Sequence, residues 1–187
     1  ARRRARLPQP KGPQLVSLIG FKAQNHPQQP KKDQVDDRGT DPEFFARMVE
    51  RFGPFTVDVA AAAHNAKCER YYTIDDDGLA QSWAGERVWC NPPYSDIGAW
   101  VRKAWDEWLM PGTAPLPELI VMLLPANRTE QRWWQDHVEL ARMHGSLRVE
   151  FLPGRMRFVR PGADSIGPNE RPPFGCCLLI WQREVCR

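Results

Sequence analysis

The chain has 187 residues, 42% of them hydrophobic, a net charge of +3 and five cysteines. That length supports one well-buried domain and is too short for two of ordinary size. No apolar run approaches a membrane span, no secretory leader pattern is present, and no cysteines pair as Cys-x-x-Cys, which argues against membrane proteins, disulfide frameworks and zinc sites, and for a soluble intracellular protein.

The charge is unevenly spread along the chain. Residues 1–32 carry eight Lys or Arg and no acid, so the remainder holds 18 basic against 23 acidic residues, a balance of −5. With prolines at 8, 10, 13, 27 and 30 and no periodicity, residues 1–36 read as a basic flexible arm preceding a domain over 37–187. Such an arm adds affinity for phosphate backbones without reading sequence.

Thr40-Asp41-Pro42-Glu43 has the form of a helix start with a threonine cap, and Phe44, Phe45, Met48, Val49 and Phe52 follow at helical spacing. Gly53-Pro54 ends that helix, and Phe55 to Val59 reads as a strand that delivers Asp58 near its carboxyl end. The small residues Ala60 to Ala63 allow close approach of a ligand, Tyr71 to Ile74 suggests a short edge strand, and Asp75-Asp76-Asp77-Gly78-Leu79 an acidic turn. A strand over Arg87 to Cys90 leads into Asn91-Pro92-Pro93-Tyr94, after which Ile97, Trp100, Val101, Ala104, Trp105, Trp108 and Leu109 mark the apolar stripe of a helix.

Pro111 to Pro117 is a loop, and Leu119 to Leu124 is a continuous apolar run, as expected for a strand buried on both faces. Helix signals return over Thr129 to Ala141. Leu147 to Phe151 and Met156 to Val159 read as paired strands about Pro153-Gly154, and Gly175 to Trp181 as a last buried strand. This alternation predicts a three-layer α/β domain, in which ligands gather beyond the carboxyl ends of the strands. Asp58, Asp77 and Asn91 fall at or near that edge.

The Asn-Pro-Pro-Tyr turn suits one chemical problem, methylation of a planar amine. Such an amine is a poor nucleophile because its lone pair is delocalised into the adjacent π-system. An Asn side-chain oxygen and the carbonyl of the following proline can together accept its hydrogens, with proline's fixed φ holding that carbonyl in place. Tyr94 then offers a ring for the base to stack on. The plain structural alternative is a turn that stops a strand and covers a core edge.

The succession Phe55-Thr56-Val57-Asp58-Val59-Ala60-Ala61, Asn65-Ala66-Lys67-Cys68, Tyr71-Tyr72, Asp76-Asp77-Gly78-Leu79, Trp83 and Val88-Trp89-Cys90-Asn91-Pro92-Pro93-Tyr94-Ser95 resembles the phage-type, Dam-like DNA N-6-adenine methyltransferases, over roughly residues 37–182. The resemblance implies a Rossmann-like methyltransferase fold with a mostly parallel sheet and an antiparallel last strand. It further implies S-adenosylmethionine as methyl donor and adenine in DNA as acceptor, with no metal. It puts Asn91, Pro92, Pro93 and Tyr94 in the catalytic turn and Asp58 at the methionine end of the cofactor. Ala60 and Ala61 replace the glycines of a more typical cofactor loop, and Asp77 accepts a hydrogen from the cofactor's adenine amine. Thr40 and Phe45 fall where the family has a Thr-Pro-x-x-Leu-Phe segment beside the cofactor, with the proline here displaced to position 42.

An adenine inside a duplex must be extruded to reach such a turn. With no room for a separate recognition domain, loops must contact the DNA, and Arg128, Arg132, Arg155, Arg157, Arg160 and Arg171 are candidates for phosphates or guanine edges. Alternatives are methyl transfer to another planar amine (cytosine N4, guanine in RNA, a protein glutamine amide) or a DNA-binding protein without catalysis.

Overall fold

The structure is a computed structural model and describes residues 36, 38–109, 115–161, 163, 166 and 171–183. The expected basic arm apart from Asp36, and residues 111–114 of the expected proline-rich loop, lie outside the described residues. In chain order the elements are β1 (Gly39–Thr40), α1 (Pro42–Phe52), β2 (Val57–Asp58), β3 (Arg87–Cys90), α2 (Ile97–Leu109), β4 (Leu119–Pro125), a π-helical stretch (Trp134–Glu139) running into α3 (Leu140–Met143), β5 (Arg148–Phe151), β6 (Phe158–Val159) and β7 (Cys176–Gln182).

Five strands form one sheet in the order β2-β3-β4-β7-β5. The β2–β3 and β3–β4 pairs are parallel, and β7 runs antiparallel to both β4 and β5. Successive side chains of a strand point to opposite faces, and the two cores follow that period. Leu119, Val121 and Leu123 of β4 and Cys176, Leu178 and Ile180 of β7 enter one core, capped by Phe44, Met48 and Phe52 of α1. Their neighbours Ile120, Met122, Leu124, Cys177, Leu179 and Trp181 enter the other, capped by Trp100, Val101 and Ala104 of α2 and by Trp134, Val138 and Ala141. The all-apolar run of β4 is therefore a strand with both faces covered, each buried side chain contributing about 2 kcal/mol of transfer free energy.

Three expectations are corrected. Asp41, not Thr40, caps α1: its Oδ1 accepts from Glu43 N at 2.9 Å, with Pro42 in the first turn. The residue before a proline favours an extended backbone, which suits a cap, and Thr40 is instead buried in β1. Residues 147–151 and 156–159 do not pair with each other. β5 joins β7, whereas β6 pairs with β1 through Gly39↔Val159 and Thr40↔Phe158. Leu152 N donates to Cys176 O at 2.9 Å, so the chain stays on β7 past the end of β5 and cannot fold back as a tight hairpin. Tyr71 to Ile74 forms no strand, only an isolated parallel bridge between Tyr71 and Asp58. Among the described residues no helix is long and apolar enough to cross a membrane.

Candidate active site

The ends of β2 and β3 lie side by side because the two strands are parallel and in register, Asp58 opposite Trp89. Val59 N donates to Trp89 O at 3.1 Å, which carries the ladder one residue further and brings the start of the alanine loop beside Asn91. Asp58 is 3% exposed. Its Oδ1 accepts from Ala60 N at 3.4 Å and its Oδ2 from Lys67 N at 3.0 Å. Burial nevertheless dominates, and the carboxyl is pushed up to about 6 despite those two donors and the Lys67 charge. Burial also lowers Lys67, against the opposing pull of Asp58 and Asp41.

Asp58, Ala60, Lys67 and Asn91 border a cleft of about 20 Å³, together with Arg38 and Thr40 from the crossing segment at β1. That segment is tied across the turn: Ser95 N donates to Asp36 Oδ1 at 3.1 Å, and Asn91 Nδ2 donates to the Arg38 carbonyl at 3.3 Å. The amide nitrogen of Asn91 is thus occupied, while its Oδ1 is buried with no hydrogen-bond partner. An unmet buried acceptor costs about 1–3 kcal/mol, so the arrangement favours an incoming N–H donor. The carbonyls of the two prolines differ in the same way. Pro93 O already accepts from Asp96 N at 3.2 Å, whereas Pro92 O accepts no hydrogen bond among the described residues.

Tyr94 closes the turn. Its ring packs edge-on to Phe158 at 6.2 Å between centroids and tilted against Phe174 at 6.0 Å. Burial, then the neighbouring Cys176, push its phenol well above the ordinary value, so it stays neutral. Tyr94 also borders a second cavity of about 380 Å³, with Gly98, Arg128, Gln131 and Trp133 around it.

Of the sequence-predicted residues, Asp58, Ala60, Thr40 and Asn91 meet at the first cleft and Tyr94 and Arg128 at the second. Asp77 joins neither. Its exposed carboxylate accepts from Leu79 N at 3.2 Å, and its backbone stands at φ 51, a left-handed turn. The turn itself is pinned to the end of β2: a Cβ on Gly78 would lie 2.1 Å from Val59 O, and Trp83 Nε1 donates to Gly78 O at 3.1 Å. Phe45 borders neither cavity and packs on Trp89 at 5.2 Å and Phe55 at 5.7 Å, behind β3.

Arg132 is paired with Asp136 at 3.0 Å. Arg155 and Arg157 are exposed beside a groove of about 450 Å³ that also receives Arg47 and Met48 of α1. Arg160 and Arg171 are exposed as well, and Arg160 is engaged with a neighbour. Sequence reasoning missed Arg38, Lys67 and Trp133 as site residues. Lys67 had a signal, its place in the Asn65-Ala66-Lys67-Cys68 segment. Arg38 had none, because its contact with Asn91 spans 53 residues. No cluster of metal-ligating side chains occurs among the described residues.

Comparison with known proteins finds the family described as DNA N-6-adenine-methyltransferase (Dam) matching residues 27–185. The chain is 32% identical over 116 residues to the DNA N-6-adenine-methyltransferase of Escherichia phage T1, covering 61% of this chain and 44% of that protein. It is 36% identical over 77 residues to the YfdM protein of Escherichia coli (strain K12), covering 37% of this chain and 84% of that protein. With the DNA N-6-adenine-methyltransferase of Haemophilus phage HP1 it shares 31% identity over 82 residues, covering 44% of this chain and 43% of that protein. The matched region thus spans less than half the length of these two phage relatives.

Proposed function

Because the chain belongs to the DNA N-6-adenine-methyltransferase (Dam) family, we propose that it methylates the exocyclic N6 amine of adenine in DNA, with S-adenosylmethionine as donor and a Rossmann-like methyltransferase fold as its frame. The observation that carries this reading is the pair of unmet acceptors at the end of β3, Asn91 Oδ1 and the Pro92 carbonyl. Two acceptors on one turn match an amine with two hydrogens.

The charges of the first cleft fit the amino-acid end of the cofactor. Asp58 offers a carboxylate to an ammonium group, and Lys67 and Arg38 offer cations to a carboxylate. A cleft of about 20 Å³ has room for roughly one water molecule, so it must widen on loading. S-adenosylmethionine, when bound, supplies an electrophilic methyl group. The protein's part is to hold the adenine amine by Asn91 Oδ1 and Pro92 O, so that the nitrogen lone pair points out of the base plane. The same two oxygens stabilise positive charge as it develops on that nitrogen, and because they are already in place no reorganisation is needed. Alignment of the two reactants supplies much of the remaining acceleration.

Incubating the purified protein with methyl-labelled cofactor and plasmid DNA, followed by nucleoside analysis, tests the reading. Label in N6-methyladenine is the expected result. Label confined to protein or RNA would overturn it.

A further inference from the structure

Strands β3, β4 and β5 point the same way, because β3 and β4 are parallel and β7 runs antiparallel to both β4 and β5. The chain leaving β5 at Leu152 therefore emerges at the same carboxyl edge as the Asn91–Tyr94 turn, and the bond from Leu152 N to Cys176 O at 2.9 Å holds it there. From Leu152 to Arg157 it forms one wall of the 450 Å³ groove, and the N-terminal half of α1 forms the other. The next residue, Phe158, is the one whose ring packs edge-on to Tyr94. The groove is thus one residue along the chain from direct contact with the turn.

The groove also keeps its charges differently from the rest of the surface. Arg51, Arg102, Arg132 and Arg142 each pair with a carboxylate. Arg47, Arg155 and Arg157 are exposed at the groove, and none of the three has a carboxylate partner among the described residues. Arg47 lies instead over the Phe44 ring, 5.7 Å from its centroid. Two acids share the groove, and one of them, Asp41, is occupied in capping α1 through Glu43 N. Glu43 is exposed at the mouth and forms no ion pair with Arg47 one turn further on. Between the charges the floor is apolar: Phe44 and Met48 are buried, and Leu152 and Met156 are half-buried against the same core. Cations on both walls of an open groove over an apolar floor suit a sugar-phosphate strand, with guanidinium groups on phosphate oxygens and deoxyribose on the floor.

We infer that this groove holds the backbone of the DNA duplex beside the target site, with Arg47, Arg155 and Arg157 on phosphates, and adds affinity without reading bases. The inference rests on the adenine-DNA reading given above and supplies a surface that carries the duplex past the Asn91–Tyr94 turn. The three arginines are binding residues, and no bond is made or broken on them.

The test measures binding of labelled duplexes of several sequences by fluorescence anisotropy over a salt series, which needs no methyl transfer. The double-logarithmic slope of affinity against salt counts phosphate contacts at about 0.9 each. Arg155→Gln with Arg157→Gln should reduce the magnitude of that slope by about 2, and Arg47→Gln by about 1. Affinity at low salt should fall roughly 3- to 10-fold per residue, equally on every sequence, with affinity for S-adenosylhomocysteine unchanged. Arg155→Lys with Arg157→Lys keeps the charges and should retain most of the slope, which keeps the test open if a glutamine variant fails to fold. Arg102→Gln removes one charge from α2, away from the groove, and should leave the slope as it is. A slope unchanged by the groove variants, or reduced as much by Arg102→Gln, would overturn the inference, as would losses confined to particular sequences. Absence of label in DNA with the wild-type protein would instead overturn the adenine-DNA reading, so the two failures are distinguishable.

Discussion

The two hollows flanking the Asn91–Tyr94 turn are built on opposite plans. On the Asp58 side the space is about 20 Å³, its walls are charged, and the Asp58 carboxylate is already hydrogen-bonded within the protein. On the Arg128 side it is about 380 Å³, two walls are aromatic, and a cationic donor waits without a partner. A ligand entering the first exchanges existing bonds at Asp58 and also meets the unpartnered Asn91 Oδ1 and Arg38 Nε, whereas a ligand entering the second meets the unpartnered Arg128 Nε. A charged, zwitterionic group suits the first plan, and the roomier second plan suits a larger ligand. Asn91 borders the first hollow and Tyr94 the second, so the turn is their common wall.

The sharpest way to test this division is to remove the common wall's chemistry. Asn91→Ala should lower the transfer rate by at least about 10³-fold, the upper range for loss of a preplaced stabilising group. Binding of both S-adenosylhomocysteine and DNA, read by calorimetry and gel shift, should survive; loss of either would mean that the turn is a structural keystone instead. Next in size is Asp58→Ala, expected to cost about 10- to 100-fold in cofactor affinity with DNA affinity unchanged. If both affinities fall together, the two hollows are not independent.

Acidity probes the same side without mutation. Burial pushes the Asp58 carboxyl up from its ordinary 3.8 to about 6. Below that pH it is protonated and has no charge to offer an ammonium group, so cofactor affinity should decline as pH falls from 7 to 5, by up to about tenfold per unit. A flat profile by calorimetry would remove Asp58 from the contact. The stability effect has the opposite sign, because a carboxyl with a raised folded pKa stabilises the fold when protonated. Its contribution is full below about 4 and is lost as pH rises through about 6, a difference on the order of 3 kcal/mol from this group alone. Chemical denaturation at constant ionic strength would read it.

Smaller effects are expected further out. Gly98→Ala should press on Trp133 yet alter stability by less than about 1 kcal/mol in chemical denaturation, since helix propensity and crowding oppose each other. Smallest of all is Arg132→Gln. Its exposed pair with Asp136 is worth about 0.3–0.5 kcal/mol, so a change beyond about twofold in DNA binding would mean that Arg132 leaves Asp136 to contact the backbone.

The Asp58 hollow was more legible in the sequence than the Arg128 hollow, for a physical reason. Asp58 ends the strand read from Phe55 to Val59 and Asn91 follows the strand Arg87 to Cys90, and parallel pairing then sets the two strand ends side by side. The continuous run of β4 likewise announced burial on both faces. Long-range choices left weaker traces. Nothing local in Met156 to Val159 marks Gly39 and Thr40 as its partners, and the resulting β1–β6 pair is what brings Phe158 to the ring of Tyr94. Asp77 was legible as a turn residue, but the direction of its carboxylate depended on the backbone being left-handed there. Trp133 reads as one more apolar residue of a helix until Gly98 is seen beneath it.

The anchor of the Asn91 amide has a genetic consequence. Its nitrogen is held by the main-chain carbonyl of residue 38, not by a side chain. Every amino acid carries that carbonyl, so no single codon change at position 38 can delete the contact; only a shift of the segment itself would undo it. A saturation library at position 38 should therefore leave the orientation of the Asn91 amide intact in every variant, so that any loss of cofactor affinity across it reports on the guanidinium of Arg38 alone.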